Sequence, residues 1–183
     1  MDDPDDDHDH DHDPTAEAMA ELWQRIRGIR VAMLATVQPG GLLRSRPMAT
    51  QECEPDGVLW FAADADSAKV AALRADPRVE LSWADAAEDL FVTASGTARV
   101  VHDPDKAAGI WNSHLNAWWP AGPNDPKLRL IEVTLEAAEY WHARAPRAIQ
   151  VARLARAAAR GERPRRLGED VKLQVRDAAR PGA

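Results

Sequence analysis

The chain has 183 residues, 45% of them hydrophobic, enough to bury one sizeable core and too few for a second independent domain. Its net charge of −7 comes from 30 acidic against 23 basic residues, but eight of the acids stand in the first fourteen positions. The body is therefore close to neutral, and no global field points to nucleic acid or an anionic membrane as partner. The single cysteine, Cys53, excludes an internal disulfide, and no apolar run is long enough to span a bilayer. A soluble, cytoplasmic protein is expected.

Residues 1–14 alternate His8, His10 and His12 with aspartates. Low hydrophobicity and like-charge repulsion predict a disordered tail, at most a loose collector of divalent ions, and no metal site is assigned. A globular domain over 15–145 follows. Thr15 is placed to cap a helix whose Met19, Leu22, Trp23 and Ile26 form one apolar stripe and which Gly28 stops. Val31–Val37 reads as a first strand, ended by the Gln38–Gly41 turn. A second strand, Leu42–Cys53, and a turn at 54–57 lead into a third, Val58–Ala62.

Asp66 or Ser67 then caps a short helix to Ala75, which the Asp76–Pro77 step ends. Val79–Trp83 and Leu90–Val101 are the fourth and fifth strands, with Gly96 marking a bend or bulge in the latter. A helix from Pro104 to about Leu115, a Trp118–Pro123 loop and a sixth strand, Leu128–Leu135, complete the domain. Six strands with three intervening helices favour a mainly β fold, an antiparallel barrel with flanking helices, since closure satisfies strand edges. Residues 146–183 form a separate Arg-rich helix, Ala148–Arg160, and tail. The eight arginines between Arg144 and Arg166 lack the interleaved aromatics that stack bases, so nucleic acid is not expected there.

Chemistry concentrates in two stretches, LLRSRPMAT (42–50) and VLWFAADADSAKVAAL (58–73). Arginines on a strand and a Ser and Lys opening a helix suggest an anion cradle beside a backbone-lined groove. Taken alone, Arg44 and Arg46 could equally be a solvated strand face, and Ser67 and Lys69 a cap and a surface lysine.

The order RSRPMAT, WFAADADSAKVAAL, LFVTASGTARVV and WNSHLNAWWPAGPNDPKLRLIEVTLEAAEYW resembles the flavin-binding split-barrel proteins related to pyridoxamine 5'-phosphate oxidase, and within them the general stress protein subfamily. The resemblance runs from about Met19 to Gly168. It implies a six-stranded antiparallel split β-barrel, FMN as cofactor, and a homodimer with the flavin at the interface. By position it implies that Arg44, Ser67 and Lys69 hold the phosphate, and that Ser45, Arg46, Pro47 and Met48 run along the ring. It also implies that Phe61, Ala62, Ser95 and Gly96 line the flavin and that Trp119 and Trp141 close the pocket.

The family's C-terminal arginine motif has no counterpart in the ending RDAARPGA, so pyridoxamine phosphate oxidation itself is not expected. The implied activity is flavin-dependent oxidoreduction of an unidentified small molecule, for which no catalytic side chain is required. The alternatives are a protein that binds flavin without turnover and a deazaflavin-dependent reductase.

Overall fold

The computed structural model describes residues 14–53, 57–142, 160 and 169–175. The expected acidic tail, the turn at 54–56 and nearly all of the expected Arg-rich helix lie outside the described residues. Helix α1 (Pro14–Ile26) starts one residue before the expected cap, because proline's fixed φ and missing N–H suit a first helical position. Its Met19, Leu22 and Ile26 are buried in the core, which fixes the helix against the strands.

The strands are β1 (Val31–Val37), β2 (Leu43–Ala49), β3 (Glu52–Cys53), β4 (Val58–Asp64), β5 (Arg78–Asp85), β6 (Leu90–Val101), β7 (Leu128–His142) and β8 (Glu169–Gln174). Every pairing is antiparallel, in the order β2-β1-β5-β6-β7-β4-β3. The long β7 holds β6 along one edge, and β4 and then β8 along the other.

The expected second strand is divided at Thr50 and Gln51. Its first half pairs with β1 and its second with β4. These halves are the two ends of the ladder, so the sheet curls until one bent strand joins its edges, without hydrogen-bonded closure between them. The fold is thus the expected mainly β split barrel. Beyond the six expected strands lies β8, whose Val171 and Leu173, with Val175 just after the strand, alternate with polar residues, a period-two signal hidden in a charged ending.

Helix α2 (Ala68–Ala75) buries Val70 and Leu73 in the same core. The expected helix after Asp103 is two, α3 (Pro104–Gly109) and α4 (Ser113–Trp118), because the Asn112 side chain accepts from the N–H groups of His114 and Leu115 and starts a new helix. These helices cover the outer face of β4, where Val58 and Trp60 pack with Leu115 and Trp119, while Leu59, Phe61 and Ala63 face the barrel core. Burial on both faces explains why β4 is almost continuously apolar. At the end of β7, buried Tyr140 donates to Glu21 Oε1 at 2.5 Å and accepts from Arg25 at 3.1 Å, tying α1 to the sheet.

β6 and β7 slip register between Ser95 and Gly96, where Glu136 is the extra residue. A Cβ at Gly96 would collide with the Thr134 carbonyl oxygen. Glycine is therefore required by the approach of one strand to the next, as its place in the sequence suggested.

Candidate functional site

The inward or outward aim of each β2 side chain follows from its register. Arg44 stands opposite Thr36 and Arg46 opposite Leu34, and both partners are fully buried on the inner face of β1. Cross-strand partners share a face, so the two arginines lie on the inner side of the curled sheet. The exposed outer face of β2 carries Leu43, Ser45 and Pro47 instead. A solvated barrel surface therefore does not account for Arg46, whereas Arg44 on the same face is exposed.

Arg46 is half-buried. Its Nη1 donates to Thr36 Oγ1 at 2.9 Å, while Nη2 is buried with no hydrogen-bond partner. Thr36 also accepts from Gln38 Nε2 at 3.0 Å, and so holds the strand and the guanidinium in place. Burial lowers the pKa of Arg46, and the Arg44 charge lowers it further. Lys69, in the first turn of α2, is half-buried and its ammonium finds no hydrogen bond or ion pair among the described residues. Burial holds its pKa below the usual lysine value and the charge of Arg46 adds to this, with Asp64 acting in the opposite direction.

Two partly desolvated cations thus sit within reach of each other's field, with the Asp64 carboxylate offsetting the charge of Lys69. A buried guanidinium nitrogen left unpaired is costly, and an oxyanion would satisfy it together with the ammonium. The start of α2, which carries Lys69, adds free N–H groups and the positive end of a helix dipole.

Lys69 lines a cleft of about 260 Å³, and Arg46 acts on it through its field at Lys69. Pro47, Met48 and Ala49 of β2 form one wall, and the end of β4 from Ala62 to Asp64 forms another. Lys69 and the α4 residues Leu115, Trp118 and Trp119 complete it, together with Gln51 and His114. The lining is mainly apolar with a few polar groups, the composition of a small-molecule site.

Of the residues singled out in the sequence, Pro47, Met48, Ala62, Lys69 and Trp119 meet in this cleft, and Arg46 couples to it through Lys69. Arg44 lies two residues farther along the same face, exposed and without a side-chain partner among the described residues. Ser67 precedes α2, but its hydroxyl donates to the Asp64 carbonyl at 2.7 Å and makes no cap hydrogen bond. The others lie elsewhere. Ser45 points outward. Phe61 is wholly buried in the barrel core because β4 alternates and Ala62 takes the cleft side. Ser95 lines a separate outer groove with Glu80 and Glu139, and Gly96 lies at the bulge. Trp141 stands opposite Phe91, both exposed on the outer face.

Sequence reasoning missed Thr36, Gln51, Asp64 and His114. Thr36 left a signal, since it is the one polar residue at an inward position of the alternating run VAMLATV. Asp64 left another, as one of the two carboxylates, with Asp66, just before the Ser67–Lys69 pair. Nothing in the sequence marks Gln51 or His114, which reach the cleft only because the strand bends and α4 crosses it.

A family model described as pyridoxamine 5'-phosphate oxidase like matches residues 17–165. Protein bli-3 of Neurospora crassa is 32% identical over 109 residues, covering 55% of this chain and 52% of that protein, so the chain spans about half of this relative. A crystallised general stress FMN/FAD binding protein from Xanthomonas citri is 29% identical, with a TM-score of 0.60 over 71% of this chain and 92% of that one. A protein from Clostridium acetobutylicum related to general stress protein 26 shares the fold at 15% identity, with a TM-score of 0.64 over 87% of this chain and 96% of that one. No helix among the described residues is long and apolar enough to cross a membrane.

Proposed function

The chain belongs to the pyridoxamine 5'-phosphate oxidase-like family, and we propose that its cleft binds flavin mononucleotide (FMN) and serves a flavin-dependent oxidoreductase acting on a small molecule. The observation that carries this reading is half-buried Lys69 on the lining of an apolar cleft, within the field of half-buried Arg46, whose Nη2 has no partner. A phosphate fits that deficit, and the Xanthomonas citri protein, named for FMN/FAD binding, supports the choice of flavin.

In this reading Arg46 and Lys69 hold the phosphate, with Arg44 and the start of α2 contributing charge and N–H donors. Thr36 fixes the guanidinium and Asp64 offsets the lysine's charge. β2 ends the ladder, so half of its backbone groups are unpaired by β1 and can read the polar edge of a planar ring. Pro47 has no N–H, and Ala49, the next residue whose N–H faces away from β1, carries that task. Trp119, buried on one side, walls the cleft, and its exposed neighbour Trp118 shields it from water. When bound, the flavin supplies the redox chemistry and the protein orients it.

The dimer expected from the sequence is part of the proposal. Val31, Met33, Phe91 and Trp141 are exposed on the outer face of the sheet, and an apolar strip of this kind is what a two-fold interface covers. The single cysteine agrees with a cytoplasmic setting.

Anaerobic addition of NADH or NADPH to the FMN-loaded protein is expected to bleach the flavin band, and air to restore it. The same preparation should sediment at about twice the 20.1 kDa of the chain. A flavin that both donors leave oxidised although dithionite reduces it would reduce the function to binding without turnover.

A further inference from the structure

A second chamber of about 250 Å³ adjoins the cleft and shares Ala49, Gln51 and His114 with it. The two flank the bend between β2 and β3. The chamber's apolar wall is Trp23, Ile26 and Ile29, where α1 runs into β1. Its charged wall is Arg27 and Arg30, and neither guanidinium has a partner among the described residues. Thr50, at the bend itself, contributes a buried Oγ1 that makes no hydrogen bond. Asn112 Nδ2 donates to Gln51 Oε1 at 2.8 Å and so steadies the partition between the two spaces.

Each element has a definite chemical preference. Arginine forks match carboxylates, an orphaned hydroxyl needs a polar partner, and the Trp23–Ile29 wall favours an apolar body. Exposed arginines alone would be ordinary surface. An orphaned buried hydroxyl and an apolar wall in the same cavity are not.

We propose that this chamber binds the carboxylate of the flavin's substrate, a small organic acid with an apolar or aromatic body that reaches past Gln51 and His114 toward the cleft. The substrate role rests on the flavin reading, whereas the binding of the acid does not.

The test uses calorimetry on the full chain with 2-naphthoate and its uncharged isostere 2-naphthamide, each with and without FMN. Naphthoate is expected to bind about tenfold tighter than naphthamide, the range for a charge-assisted pair. The double variant Arg27→Gln, Arg30→Gln should erase that preference while leaving FMN affinity within about twofold, because the phosphate seat lies elsewhere. Thr50→Val should weaken naphthoate roughly threefold or more by removing its hydrogen bond. With FMN bound, naphthoate should also shift the flavin absorbance.

Equal affinity for acid and amide overturns the proposal, as does a preference that survives in the double variant or no saturable binding of either probe. Naphthoate preference without FMN uptake sinks the flavin reading and leaves the acid chamber standing. FMN uptake without naphthoate preference does the reverse. Naphthoate preference with an unperturbed flavin overturns the substrate role alone.

Discussion

Replacing Lys69 by methionine is expected to weaken FMN roughly tenfold to a hundredfold while changing riboflavin by less than about threefold, because a charge-assisted hydrogen bond contributes about 1.5–3 kcal/mol and riboflavin lacks the phosphate. Methionine keeps the length of the stem and removes only the charge. Arg46→Met should act in the same direction and at least as strongly, since it also takes a donor from Thr36. Fluorescence titration with both ligands gives the ratio directly, and equal losses for FMN and riboflavin would refute the phosphate seat.

The same lysine has an opposite effect on the empty protein. Its pKa is lowered first by burial and then by Arg46, so the folded state holds the proton less tightly than the unfolded one. The cost of burying the charge is full at neutral pH and is relieved as pH rises between the lowered value and 10.5. Lys69→Met should therefore melt no lower than the parent without ligand. FMN affinity of the parent should decline as pH rises through that window, because phosphate requires the protonated amine.

Alanine at Gly96 should have the largest effect on stability. Its Cβ would meet backbone of β7 at the bulge, where no side chain can swing aside. Overpacking of this kind costs about 1–3 kcal/mol or more, and for a domain of this size each kcal/mol lowers the melting temperature by roughly 2–4 °C. Gly109→Ala is the control, since nothing lies within 4 Å of its Cβ position and its φ is not in the left-handed region. It should be neutral or stabilising by a few tenths of a kcal/mol. Thermal melts of the two variants should separate clearly. A Gly96→Ala protein that melts with the control would remove the steric account of the bulge.

Local signals carried much of the fold. β1 and β6 stand where the sequence places them, β1 as a short apolar run ended by turn residues, and Gly96 marked the bulge. The split of Leu42–Cys53 into β2 and β3 was not legible, because a strand that changes partners midway keeps the same period along its length. Nor was the division of α3 from α4, although Asn112 is a good cap residue. β8 was hidden because it stands in a charged ending, where its signal rests on Val171 and Leu173 with Val175 just after them.

The site divides in the same way. Lys69 and the β2 residues were visible as chemistry on neighbouring segments, and the inward aim of Arg46 came only from its pairing with Leu34. Phe61 and Ala62 are adjacent in sequence and point to opposite faces, so a match by position could not tell cleft from core. Ser95 and Trp141 fell on the outer face for a similar reason, beyond the reach of this chain's own cleft. Thr36, Asp64, Gln51 and His114 support or line the site from four different elements, and only the fold assembles them.

The central claim is that the apolar cleft and its unpaired cations form a flavin phosphate site, and titration of FMN fluorescence with the purified full chain tests it most directly. Saturable quenching at one FMN per chain is predicted, with affinity at least about tenfold above that for riboflavin. Absence of saturable uptake, or equal affinity for the two flavins, would contradict it.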